Sequence, residues 1–202
     1  MKDYHSWALW IFNATYLFWG GAYFLQDLNF EFVIYVAVIV VIIGTVLLTA
    51  HKTEFPAWQL WLLSIWGVMH VLGGAVMIDN GVLFGYRIYP LLDLGGDFYI
   101  LKYDQLVHFY LYGVVAAMAL FQLRKMAVTT SLWTVAFIAV LTSEGISALN
   151  EIMEFLIAVS IEENGVGGYE NAMLDLMFNL GGALVAASLY AVAIKLREKF
   201  RK

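Results

Sequence analysis

The run DQLVHFYLYGVVAAMALFQ (104–122) decides how this chain is read. As a helix at ~1.5 Å per residue it reaches about 28 Å, close to the ~30 Å hydrocarbon core of a bilayer. From Phe109 to Phe121 it holds only aliphatic and aromatic residues and one glycine. Its first turns break that pattern. Asp104 and His108 lie four residues apart, so they share one side of the helix. A segment built to cross a membrane thus carries an acid and an imidazole at its mouth.

The rest of the chain agrees with that reading. Its 202 residues are 62% hydrophobic and only 13% charged, with a mean hydropathy of +0.78. A soluble domain carries about 25% charged residues, so the shortfall points to a polytopic membrane protein. The chain has no cysteine, which removes disulfides, thiolate ligands, iron–sulfur clusters and cysteine nucleophiles together. Any metal would have to be held by oxygen and imidazole nitrogen.

Six segments reach the roughly 20 residues a span needs: 6–25, 31–50, 58–78, 104–122, 132–160 and 172–194. The expectation is a single all-α transmembrane domain over 1–202, with six helices in one bundle. The fifth segment is overlong and would tilt or leave the hydrocarbon. The first is read as a retained span, because YLFWGGAYFLQD (16–27) is bulky where a signal-cleavage site wants small residues.

Basic residues set the orientation. Lys2, Lys52, Arg124, Lys125, Lys195, Arg197, Lys199, Arg201 and Lys202 fall on one side, against Arg87 and Lys102 on the other. The positive-inside rule then makes both termini cytoplasmic, with the segments near 26–30, 79–103 and 161–171 outside. Outer loops add Asp27, Glu31, Asp79, Asp93, Asp97, Glu162, Glu163 and Glu170; cytoplasmic segments add Asp3, Glu54 and Glu198. Loops and tails therefore sum to zero. The net charge of −5 is carried by Asp104, Glu144, Glu151, Glu154 and Asp175, all inside spans. An acid at mid-helix costs roughly 2.5–3.5 kcal/mol on insertion scales, so protons, a cation or water must compensate this set.

Depth brings the polar groups together. Span three carries His70, and span four puts Asp104 at its outer edge with His108 a turn deeper. Span five presents Glu144, Ser147, Glu151 and Glu154 at 3-4-3 spacing, hence on one face. Span six carries Asn171, Asp175 and Asn179 at i, i+4, i+8. Apart from the deeper Glu144, all lie in the outer half, and a cavity open to the outside is the economical arrangement. The pairs in HVLGGAV (70–76) and NLGGALV (179–185) suggest close helix packing.

The segments HVLGG (70–74), YRIYP (86–90), YDQLVHFYLYG (103–113), NEIMEF (150–155) and GYENAMLDLMFNLGGA (168–183) resemble the YjdF-like and VanZ-like small membrane proteins of bacteria and archaea. The resemblance covers about 70–186. It implies that Asp104, His108, Glu151, Glu154, Asp175 and Asn179 belong to one site in the cell membrane, and it suggests envelope or lipid chemistry without fixing a reaction.

Three functions compete. The first is a metal-dependent membrane enzyme, a hydrolase or transferase, acting on a lipid-linked or amphiphilic substrate. His70, His108, Glu151, Glu154 and Asp175 would hold a divalent metal, Zn²⁺ first, while Asp104, His108 and Glu151 perform the chemistry. Arg87, Lys102, Asn150 and Asn179 would bind substrate. The 79–103 loop is long enough to act as a lid. The second is a proton or cation transporter whose pathway continues through Glu144. The third is an accessory protein whose polar network sets helix register. Membrane lipids are the expected partners. Nucleic acid is not, because the basic tail KLREKFRK (195–202) is explained by topology and anionic lipid.

Overall fold

A computed structural model describes residues 3–79, 81–96, 98–127, 129–161 and 167–200. Lys2, Asp97, Glu162, Glu163, Arg201 and Lys202, all used in the charge count above, lie outside the described residues. Six helices carry the chain: α1 (Asp3–Gln26), α2 (Phe30–Thr53), α3 (Ala57–Ala75), α4 (Tyr103–Met126), α5 (Leu132–Ser160) and α6 (Tyr169–Phe200). Their ends follow local chemistry. The Asn29 side chain accepts from the Phe32 N–H to start α2, Glu54 closes it in the left-handed region, and Pro56 immediately precedes α3. Among the described residues four helices, α2, α4, α5 and α6, are long and apolar enough to cross a membrane.

The helices form two halves. One groups α1, α2 and α3; the other groups α4, α5 and α6; α3 and α4 join them. The tightest seam is α4 against α6. Gly113 meets the Gly182 carbonyl at 3.2 Å from an added Cβ, and a Cβ on Gly182 itself would collide with the Phe109 backbone. Ala116, Ala183 and Ala187 continue the seam with fully or almost fully buried methyl groups. This is small-residue packing of the kind that lets helices approach in lipid, where apolar surface alone gives no association. The glycine pair of α3 works differently, because Gly73 and Gly74 seat the rings of Phe84 and Phe32.

Helix α5 is apolar on the outside and polar within. Leu141, Leu149, Ile152, Phe155 and Leu156 are exposed, whereas Ser143 and Ser147 are fully buried and Glu144, Glu151 and Glu154 are partly buried. A water-soluble helix would show the reverse.

The segment expected to be a loop is two β-hairpins, which corrects the all-α expectation to a mostly helical fold with two small sheets. Strand β1 (Met77–Ile78) pairs antiparallel with β2 (Gly81–Val82), so α3 stops at Ala75 and not at 78. A 3-10 turn (Leu83–Gly85) leads into β3 (Arg87–Gly95), which pairs with β4 (Phe98–Lys102) from Arg87 opposite Lys102 to Gly95 opposite Phe98. At the turn Gly95 and Gly96 take φ of 90° and 56°, and Asp93 Oδ1 accepts from the Gly95 N–H at 2.9 Å. Pro90 is tolerated because β3 is an edge strand. Gln105 fastens this hairpin to α4. Its Oε1 accepts from the Leu101 and Lys102 N–H groups at 2.7 and 3.0 Å, and its Nε2 donates to Tyr99 O at 2.8 Å.

Candidate functional site

Beneath the hairpins, α4, α5 and α6 turn their polar stripes toward one imidazole. His108 is 7% exposed, and Asp175 and Asn179 are fully buried. His108 Nδ1 lies 3.0 Å from Asn179 Oδ1, while Asn179 Nδ2 donates to Ser147 Oγ at 2.6 Å. In the tautomer protonated at Nδ1, His108 donates to Asn179 Oδ1, and Nε2 faces Asp104 Oδ1 at 3.6 Å and Glu154 Oε1 at 4.0 Å. Glu151 Oε1 is 3.7 Å from Nδ1.

Two more carboxamides orient carboxylates. Asn150 Nδ2 donates to Glu154 Oε1 at 2.7 Å, and Asn171 Nδ2 donates to Asp175 Oδ2 at 2.6 Å, each across one helical turn. Lys102 Nζ donates to Asn171 Oδ1 at 2.9 Å, linking the hairpin to α6. Both oxygens of Glu151 and Oδ1 of Asp175 remain buried without a hydrogen-bond partner among the described residues. Anionic oxygens in a low-dielectric interior are costly unless a proton or cation meets them.

Among the described residues two sets could hold a metal: Asp104, His108 and Asp175, and His108, Glu151 and Glu154, with ligand atoms all within 4.8 Å of one another. Two atoms each ~2.1 Å from a tetrahedral ion lie about 3.4 Å apart, close to the 3.6 Å between His108 Nε2 and Asp104 Oδ1. The space beside them is about 60 Å³, room enough for water. Above it, the hairpins roof a vestibule of about 610 Å³ that Arg87, Lys102, Asp104 and Asn171 line.

The sequence-derived set divides accordingly. Asp104, His108, Glu151, Glu154 and Asp175 come together. His70 does not join either ligand set. It sits among Tyr35, Trp66 and Phe84, with ring centroids 5.5, 5.6 and 5.0 Å away, and its Nε2 is buried without a hydrogen-bond partner among the described residues. Asn150 and Asn179, expected to bind substrate, turn their amides onto Glu154 and His108. Arg87 lines the vestibule but engages its own hairpin, through Asp93 at 3.5 Å, Gly96 O at 3.2 Å and the Tyr99 ring at 4.6 Å. Glu144 stands about 10 Å farther from the hairpins than Glu151 at ~1.5 Å per residue. Beyond it, Leu120, Val135, Ala136, Ala139 and Ala191 form an aliphatic plug.

One residue was missed. Glu31, assigned above to a loop, lies in the first turn of α2 at 6% exposure and lines the same small space as Asp104, His108 and Glu154. The signal was Asn29, whose capping position puts Glu31 inside a helix.

Residues 5–196 match the family described as "Predicted membrane protein (DUF2238)". The chain belongs to this family. The match takes in both hairpins and all six helices but for the first two residues of α1 and the last four of α6, and every residue of the site lies within it. No curated protein and no solved structure matches the chain.

Proposed function

We propose that this DUF2238 protein is a divalent-metal-dependent membrane enzyme, a hydrolase or transferase that acts on an amphiphilic or lipid-linked substrate. The six helices cross the cell membrane with both termini cytoplasmic, as the excess of Lys and Arg at that end requires. The hairpins and vestibule then face outward. The resemblance to YjdF-like and VanZ-like proteins favours a prokaryotic membrane.

The observation that carries the reading is the seat of His108, with the Asn179 amide at Nδ1 and the Asp104 and Glu154 carboxylates at Nε2. An imidazole held through Nδ1, with Nε2 turned to two carboxylates and further carboxylate oxygens left unpartnered, is the arrangement of a ligand with its outer-shell support in place. His108, Asp104 and Asp175 would hold the ion, one of the two sets that the geometry offers. Without His70 the donors are one imidazole and several oxygens, so Mn²⁺ joins Zn²⁺ as a candidate. Glu151 is placed to take a proton from an attacking water. The water oxygen bonds to the phosphoryl or carbonyl centre, the leaving group departs, and that proton goes to it. Lys102 and Arg87 in the vestibule suit an anionic headgroup.

The buried, unpartnered Glu144 Oε1 favours the transporter reading, but a proton passing inward from it meets the aliphatic plug. Elemental mass spectrometry on detergent-purified protein decides first. The enzyme reading expects about one divalent ion per chain, lost in His108→Ala and Asp175→Asn while both variants stay folded and monodisperse. No metal in the wild type, together with proton flux in liposomes that Glu144→Gln abolishes, would replace it with the transporter.

A further inference from the structure

One flank of the bundle is open. Helices α2 and α5 wall a cleft of about 510 Å³ whose floor is α3 and α4, within the ~300–1,000 Å³ typical of ligand sites. Its surface is apolar for most of its length, with Ile39, Trp66, Leu111, Met118 and Ile146 facing in. On α4 the lining runs from Leu111 to Gln122, and on α5 from Met153 to Thr142. Each run covers about 16 Å at ~1.5 Å per residue. That is about half of the ~30 Å hydrocarbon thickness, the depth one lipid chain occupies in one leaflet.

The outer end of the cleft is polar and continuous with the site. Tyr35 and His70 line both the cleft and the small space that holds Asp104, His108 and Glu154. Asn150, at the same end, is hydrogen-bonded to Glu154. His70 Nε2, buried and without a partner among the described residues, sits at this junction. A hydrocarbon chain asks for no hydrogen bonds along the cleft, whereas the first polar atom beyond it would meet an imidazole that lacks one.

The cleft's length and chemistry select its occupant. Its apolar run matches one acyl chain in depth, and its outer end shares Tyr35 and His70 with the space beside the carboxylate–histidine site. We infer that the cleft seats a single hydrocarbon chain of an amphiphile that enters sideways from the bilayer between α2 and α5, and that His70 guides its polar end to the carboxylate–histidine site. The destination of the polar end rests on the enzyme reading above; the seat for the chain does not.

The test uses the full chain in nanodiscs of phosphatidylglycerol and phosphatidylethanolamine, with a lysophosphatidylglycerol whose acyl chain carries a diazirine. After photolysis, labelled residues are mapped by peptide mass spectrometry, and bound metal is measured on the same samples. The expected label falls on the cleft faces of 111–122 and 142–153, and saturates against unlabelled lysolipid. Thr142→Trp, which fills the cleft, lowers it about tenfold, while Leu141→Trp, on the lipid-facing side of the same helix, leaves it unchanged. Unsaturable label spread evenly over the apolar exterior overturns the inference, as does saturable label that falls elsewhere than the cleft faces. Saturable cleft label on protein that holds no metal keeps the seat and removes the enzyme reading. Bound metal without cleft label removes the seat alone.

Discussion

Asn179 touches no proposed ligand oxygen, yet metal affinity should depend on it. Leucine at this position keeps most of the volume and removes both polar contacts, the 3.0 Å link to His108 Nδ1 and the 2.6 Å bond to Ser147 Oγ. The imidazole can then turn, or move its proton to Nε2, and either event withdraws the lone pair facing Asp104 and Glu154. Outer-shell losses of this kind weaken metal binding by ~10–100-fold, about 1.4–2.7 kcal/mol. Two comparisons separate orientation from packing. Asn179→Asp restores an acceptor for Nδ1 and should recover most of the affinity. The metal-free melting temperature of Asn179→Leu should fall by less than that of the metal-loaded form. The assay is titration of metal-stripped protein against a competing chelator at fixed pH, with melting curves on both forms. Binding within a factor of about two of wild type would refute the tautomer argument. So would an equal loss in the leucine and aspartate variants.

Two further expectations concern the scaffold. Gly182→Val drives a branched side chain into the Phe109 backbone, which cannot swing aside, and should destabilise the protein by about 3 kcal/mol or more; Gly145→Ala, with nothing near its added Cβ, should be neutral or mildly stabilising in the same detergent melts. At the opposite end, the 2.6 Å bond from Lys125 holds the Glu54 carboxyl below its ordinary value of 4.5, so the pair's small contribution is present above that pH and is lost as pH falls through the lower folded value. In Lys125→Met the Glu54 titration, followed by NMR, should return toward 4.5.

Helical spacing carried much of the site. Asp104 and His108, the stripe of Ser147, Glu151 and Glu154, and the pair Asp175 and Asn179 share faces by periodicity alone, and the orientation of charge placed them at one depth. Periodicity does not fix how far each helix is rotated toward its neighbours. His70 lies at a suitable depth but turns into the rings of Tyr35, Trp66 and Phe84. Nor does spacing say which partner an amide will choose, so Asn150 and Asn179 were read as facing substrate when they hold Glu154 and His108. Glu31, the first residue of the expected second span, was counted with the outer loops, because a hydropathy window does not register the cap at Asn29 that sets it inside the helix. The hairpins were missed for a different reason. β3 is exposed along its whole length, so it carries no alternation of apolar and polar residues to mark it as a strand.

The inverted polarity of α5 bears on how the protein is made. Alone in lipid, this helix would bring Glu144, Glu151 and Glu154 into hydrocarbon at roughly 2.5–3.5 kcal/mol each if all reached the centre. It gains shelter only when α4 offers His108 and the Tyr112 carbonyl that Ser143 binds at 2.9 Å, and when α6 offers Asn179. Insertion of α5 is therefore coupled to neighbours translated before and after it, α4 and α6. The residues that shape the site also act as chaperones for their own helix. A lesion in that network is expected to show first as a nascent chain that fails to integrate, and only among the survivors as a loss of chemistry.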